Sequence, residues 1–172
     1  MKVTMISMGL VLLLKLNIAM AQMQNMQMDH SHMPIAVPEN SPVPSLSLTL
    51  EPDVMSGYNL TVNTKGYIFT PPPAQLDMMQ LMSADLDEST NQLKGHAHLY
   101  INGVKIQRVY GKYVHLPANL FSAGLNTISV TLNNHGHMYW TASNKKIVAT
   151  LYINDQVDTL ITYRFESFPI DG

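Results

Sequence analysis

The chain has 172 residues, 10 basic and 12 acidic side chains, and a net charge of −2, which allows one ordinary domain plus a tail. No basic patch or interleaving of Arg with aromatics is present, which argues against a nucleic-acid partner. Cysteine is absent, which excludes a disulfide framework and leaves methionine, histidine and carboxylate as the available metal ligands.

Residues 1–21 read as a secretory signal peptide. Lys2 supplies a positive start, Leu10 to Met20 is a short apolar run interrupted by Lys15, and Ala19-Met20-Ala21 is a cleavage signature. The run is too short to span a bilayer. Cleavage before Gln22 therefore predicts a periplasmic or secreted chain with no membrane span, the alternative being a retained anchor.

Residues 22–44 read as a disordered tail rich in Met, His and Pro. Pro34, Pro38, Pro42 and Pro44 oppose helix or a central strand. The tail concentrates Met23, Met26, Met28, Asp29, His30, His32 and Met33. Thioethers suit Cu(I), while imidazole and carboxylate suit Cu(II), so the segment offers ligands for both oxidation states. A solvated, compositionally biased linker is the plainer alternative.

From Ser45 to the end of the chain the pattern is that of strands. Leu46, Leu48 and Leu50 alternate with polar residues, and Tyr58–Asn63 and Gly66–Phe69 read as further strands. Apolar residues at Leu76, Met79, Met82 and Leu86 fit one short helix, in which Met78, Met79 and Met82 are expected to pack, a role as added soft ligands being the alternative. Gly95 to Tyr110 alternates on both sides of Asn102-Gly103, which predicts a β-hairpin with a two-residue loop. With that tip, Leu99 faces Ile106 and His98 faces Gln107. Ala97, Leu99 and Ile101 share the core face, and His96, His98 and Tyr100 the other. Val104 and Ile106 are expected to be buried too. Asn126–Leu132 reads as a strand with Ile128, Val130 and Leu132 inward. Asn133–Trp140 is a loop, and a second hairpin pairs Lys146–Ile153 with Val157–Phe165. Seven to nine short strands predict an antiparallel β-sandwich, immunoglobulin-like or cupredoxin-like. A small closed barrel stays open, and a parallel sheet built from βαβ units does not.

Five histidines fall within the predicted domain: His96, His98, His115, His135 and His137. Four form two His-x-His pairs. Convergence of His96, His98, His115 and His137, with Met138 or His135 as a fourth donor, would give a nitrogen-and-sulfur set suited to copper. Solvated surface histidines are the ordinary alternative. No catalytic triad order, paired carboxylates, His-Glu-x-x-His or phosphate loop stands out, so an enzyme is not expected. A histidine brace needs a histidine at the mature terminus, where Gln22 stands.

The series G-Y-N-L-T-V-N-T-K-G-Y-I-F-T-P, G-H-A-H-L-Y-I-N-G-V-K-I-Q-R-V-Y-G, H-L-P and G-L-N-T-I-S-V-T-L-N-N-H-G-H resembles small secreted bacterial β-sandwich proteins, mostly uncharacterised and suspected of binding copper. The resemblance runs from Gly57 to His137. It implies His96, His98, Tyr100, Arg108, Tyr110, His115 and His137 as the characteristic polar residues. The G-K-Y-V-H segment and the length of Ala74–Leu93 depart from that pattern. The chain is similar, more distantly, to copper,zinc superoxide dismutase, which would assign His96, His98 and His115 to a copper site. That family's zinc-site run and its cysteines have no counterpart here. The leading expectation is an exported copper-binding protein (chaperone, buffer or resistance factor) that exchanges the ion with another copper-handling protein. A recognition or adhesion sandwich with incidental histidines is the alternative, and a superoxide dismutase-like copper enzyme a weaker one.

Overall fold

The computed structural model describes residues 33–154 and the backbone of one further strand at 164–168. The signal peptide and the tail ligands Met23, Met26, Met28, His30 and His32 lie outside the described residues. So does most of the Val157–Phe165 strand.

In chain order the elements are β1 (Pro34–Ala36), β2 (Ser45–Pro52), β3 (Tyr58–Lys65), β4 (Tyr67–Phe69), α1 (Met78–Met82), β5 (Asp85–Leu86), β6 (Leu93–Ile101), β7 (Val104–Val109), β8 (Tyr113–Leu116), β9 (Leu125–Asn133), β10 (Tyr139–Ala142), β11 (Lys145–Lys146), β12 (Val148–Asn154) and β13 (Arg164–Phe168). The fold is all-β and sandwich-like. Strands β7-β6-β9-β12-β13 run side by side, with β4 and β5 attached to β6 and the β1-β10-β11 group attached to the end of β9. The facing sheet is β2-β3-β8. Among the described residues the strands outnumber the seven to nine expected. Strands that were not expected include β1, β5 and β11, each two or three residues long and too short for alternation to announce. No described helix is long and apolar enough to cross a membrane.

Burial follows the period-two pattern. Leu46, Leu48, Leu50, Leu60, Val62 and Leu116 of the small sheet meet Ala97, Leu99, Ile101, Ile128, Val130, Leu132, Ala149, Leu151 and Ile153 of the large one. Trp140 and Ile147 complete the same cluster. Burying such side chains contributes roughly 1.5–3 kcal/mol each for the larger ones, which is what holds a cysteine-free chain together.

Three expectations need correction. Pairing is not purely antiparallel, since β1 runs parallel to β10 and β4 parallel to β6. Pro34 begins β1 at a sheet edge, where its missing N–H costs no ladder bond, so residues 34–36 belong to the sheet and not to a free tail. The central hairpin has the expected tip, with Asn102 at φ 51° and Gly103 at φ 79°, and Ile101 opposite Val104. A bulge between Leu99 and Tyr100 then shifts the register, so that Leu99 faces Gln107 and His98 faces Arg108. The bulge also spoils the alternation of β7, leaving Ile106 only partly buried, while Val104 next to the hairpin tip is 63% exposed.

Gly95 marks the tightest approach in the large sheet. A Cβ there would land on the Asn133 carbonyl oxygen and the Tyr67 hydroxyl. Gly95→Ala is therefore expected to cost about 2 kcal/mol or more, read as a lowered denaturant midpoint. Gly111, which has open space around it, should accept Ala within about 0.5 kcal/mol. Equal midpoints for the two variants would contradict the close approach.

Candidate metal centre

Strand β6 fixes two imidazoles. Side chains alternate along it, so with Ala97 and Leu99 in the core, His96 and His98 stand on the opposite face of the large sheet. Their cross-strand neighbours share that face. His96 lies opposite Asn133, and His98 lies between Thr131 of β9 and Arg108 of β7. An outward face ordinarily leaves histidine solvated. Here His96 is 1% and His98 0% exposed.

The covering element is the β9–β10 loop, which carries the third imidazole. The loop folds back as a tight turn in which His137 N–H donates to Asn134 O (3.1 Å) and Asn134 N–H to Met138 O (3.0 Å). The Asn134 side chain accepts from Met138 N–H at 2.9 Å, and the Asn133 amide donates to His137 O at 2.8 Å. Thr131 Oγ1 in turn donates to Asn133 Oδ1 at 2.8 Å. These bonds hold His137 at φ 71°, in the left-handed region. A residue with a Cβ pays roughly 1–2 kcal/mol there, and strain of this kind concentrates where a side chain must be aimed.

The result is a triangle of ring nitrogens. His96 Nε2 and His98 Nε2 are 3.0 Å apart, and His137 Nδ1 is 3.2 Å from the first and 3.1 Å from the second. A triangle of these sides has its corners about 1.8 Å from its centre. With ligand bonds of about 2.0–2.1 Å, His96 Nε2, His98 Nε2 and His137 Nδ1 would hold a single ion between them.

Burial is the main cause that pushes the His96 imidazole down to about 2, with His98, His137, Arg108 and His135 adding like-charge repulsion. The ring is therefore neutral at physiological pH, which is the form that ligates. Tyr110 packs over His96 with ring centroids 5.3 Å apart, and Tyr100 meets the His98 ring edge at 6.4 Å. The Tyr67 hydroxyl, deeply buried, lies 2.6 Å from Asn133 O and 2.9 Å from His96 O and shares its single proton between them. It ties β4 to the two strands that carry the site.

The other sequence-derived candidates fare differently. His135 is buried but its Nε2 faces Asp85 Oδ2 at 3.1 Å, and the same carboxylate holds Lys94 at 2.9 Å. It stands beside the triangle as an anchor of its loop. Met138 is buried at the loop's end, outside the main apolar cluster. His115 does not join. It sits on β8 in the opposite sheet, half exposed, with Nδ1 3.3 Å from Asn59 Oδ1 and 3.9 Å from Asp53. The His96, His98 and His115 set is thus not assembled, because β8 pairs with β3 and not with the histidine-bearing strands. Met33 is 43% exposed and its carbonyl accepts from Tyr139 N–H.

Sequence reasoning missed Asn133, Asn134, Tyr67 and Asp85, which shape the site without forming its triangle. The Asn-Asn pair ahead of His-Gly-His was the available signal, since asparagine side chains readily bond local backbone in turns. Comparison of the chain with family models, curated proteins and solved structures gives no match.

The depressed His96 titration has a consequence for stability. A histidine neutral in the fold and ordinary (about 6.5) when unfolded stabilises fully above pH 6.5 and loses that contribution as pH falls towards 2. His96 alone should cost the metal-free protein about 2 kcal/mol between pH 7 and pH 5. Urea midpoints across that range check it, and His96→Gln should flatten the slope. A wild-type midpoint that does not fall would contradict the buried neutral ring.

Proposed function

We propose that this chain is an exported metal-binding protein whose principal site is the His96–His98–His137 tripod, with copper as the ion it carries. The observation that carries the reading is the mutual approach of three ring nitrogens to within 3.0–3.2 Å on residues drawn from a strand and a separate loop. Three imidazoles suit copper and zinc alike, and among divalent ions copper binds such nitrogen sets most tightly. The methionine wealth of the chain, nine residues beyond the signal peptide out of 13 in all and without one cysteine, favours copper in both oxidation states over zinc.

Three protein donors, one fewer than a closed structural site uses, suit ion transfer better than permanent structural binding. The role that follows is chaperone, buffer or resistance factor, with a second copper-handling protein as donor or acceptor. The tail ligands Met23, Met26, Met28, His30, His32 and Met33 act in this reading as a first capture segment ahead of the tripod.

Competition of the full chain against a chromophoric chelator tests the assignment. His98→Ala should weaken Cu(II) binding at the tripod at least about 100-fold. Replacing His30 and His32 by Ala should leave that site intact. Undiminished affinity in His98→Ala would overturn the tripod as the principal site.

A further inference from the structure

Helix α1 has no packing reason to be rich in methionine. None of its five residues is buried, and Met78 and Met79 are 67% and 82% exposed. The Met stripe expected to pack does not. A helix this short does not persist by itself in water, yet this one is held at both ends. Asp77 and Gln80 form a reciprocal capping box, with Gln80 N–H donating to Asp77 Oδ1 at 2.8 Å and Asp77 N–H to Gln80 Oε1 at 3.0 Å. At the far end the Asn134 amide donates to Leu81 O at 3.1 Å and to Ser83 O at 3.2 Å. The His135–Asp85 contact adds a second tie to the same loop.

These ties place α1 on the loop that carries His137. Met82 is half-buried, and a Cβ added to Gly136 would lie 3.2 Å from its sulfur. Met82 is four residues from Met78 and three from Met79, spacings that put neighbours on one side of a helix. Thioethers thus lead from solvent to the residue preceding His137.

We propose that Met78, Met79 and Met82 form a second metal site, selective for soft monovalent ions such as Cu(I) or Ag(I), that passes its ion to the tripod. The proposal rests on the tripod being a metal centre. Thioether sulfur is neutral and soft, so it accepts Cu(I) or Ag(I) without losing a proton and discriminates against zinc. Transfer exchanges sulfur–metal bonds for nitrogen–metal bonds at constant oxidation state, so no electron donor or acceptor is required. The capped helix keeps the sulfurs presented, and the loop contact sets where the ion goes next.

Methyl-13C methionine labelling of the full chain tests this with Ag(I) as the probe, the signals being assigned by single Met→Leu variants. The Met78, Met79 and Met82 methyls should shift together and saturate with one ion, also when Met23, Met26, Met28 and Met33 are replaced by Leu. In M78L/M79L/M82L, Zn(II) binding at the histidines should be unchanged while Ag(I) reaches their ring signals at least tenfold more slowly. Silent Met78, Met79 and Met82 methyls, with histidine or tail signals responding, overturn the thioether site. Shifted methyls with histidine rings unmoved by Ag(I) and by Zn(II) overturn the tripod and, with it, the transfer step.

Discussion

Three imidazoles driven together out of water are the constraint around which the rest of this structure is arranged. Each ring nitrogen in the triangle lies within 3.2 Å of the other two, and His96 cannot take up charge without losing hydration that nothing nearby replaces. Neutral rings have one proton apiece, and three nitrogens facing one point cannot all be satisfied by each other as well as by one cation. A bound metal ion would convert three crowded lone pairs into three bonds. The surroundings fit that use: Thr131, Asn133 and Tyr67 hold backbone and loop in place without offering the triangle a competing acid.

The large sheet does two jobs with its two faces. One face supplies the core, where Leu99, Val130 and Leu151 meet the small sheet. The other places His96 and His98, and only the loop after β9 is needed to close over them. Placing donors on alternate positions of a central strand makes two of the three candidate ligands rigid, since β6 is paired on both sides by β7 and β9. The third candidate ligand, His137, rides on a strained turn at φ 71°, pinned by the Asn133 and Asn134 hydrogen bonds.

Much of the fold was legible in the chain. Alternation at Leu46–Leu50, Ala97–Ile101 and Ile128–Leu132 set strands and faces, because a half-buried strand imposes a period of two. The Asn102-Gly103 turn was legible from the positive φ it needs. The bulge at Leu99–Tyr100 was not, since an extra residue in one strand becomes visible only against its partner, and it left Ile106 without the expected partner Leu99. His96 and His98 were legible as a pair for the same reason as the strand. His137 was legible as a candidate through Gly136 and the preceding strand end. His115 was misjudged because spacing along the chain does not say which sheet a strand joins.

X-ray absorption at the copper edge tests the central claim most directly, on the chain carrying His30→Ala and His32→Ala and loaded with one equivalent of Cu(II). The account predicts a first shell containing three imidazole nitrogens at about 2.0 Å, reduced by one on His137→Ala. A shell of oxygen or sulfur with no more than one imidazole would contradict it.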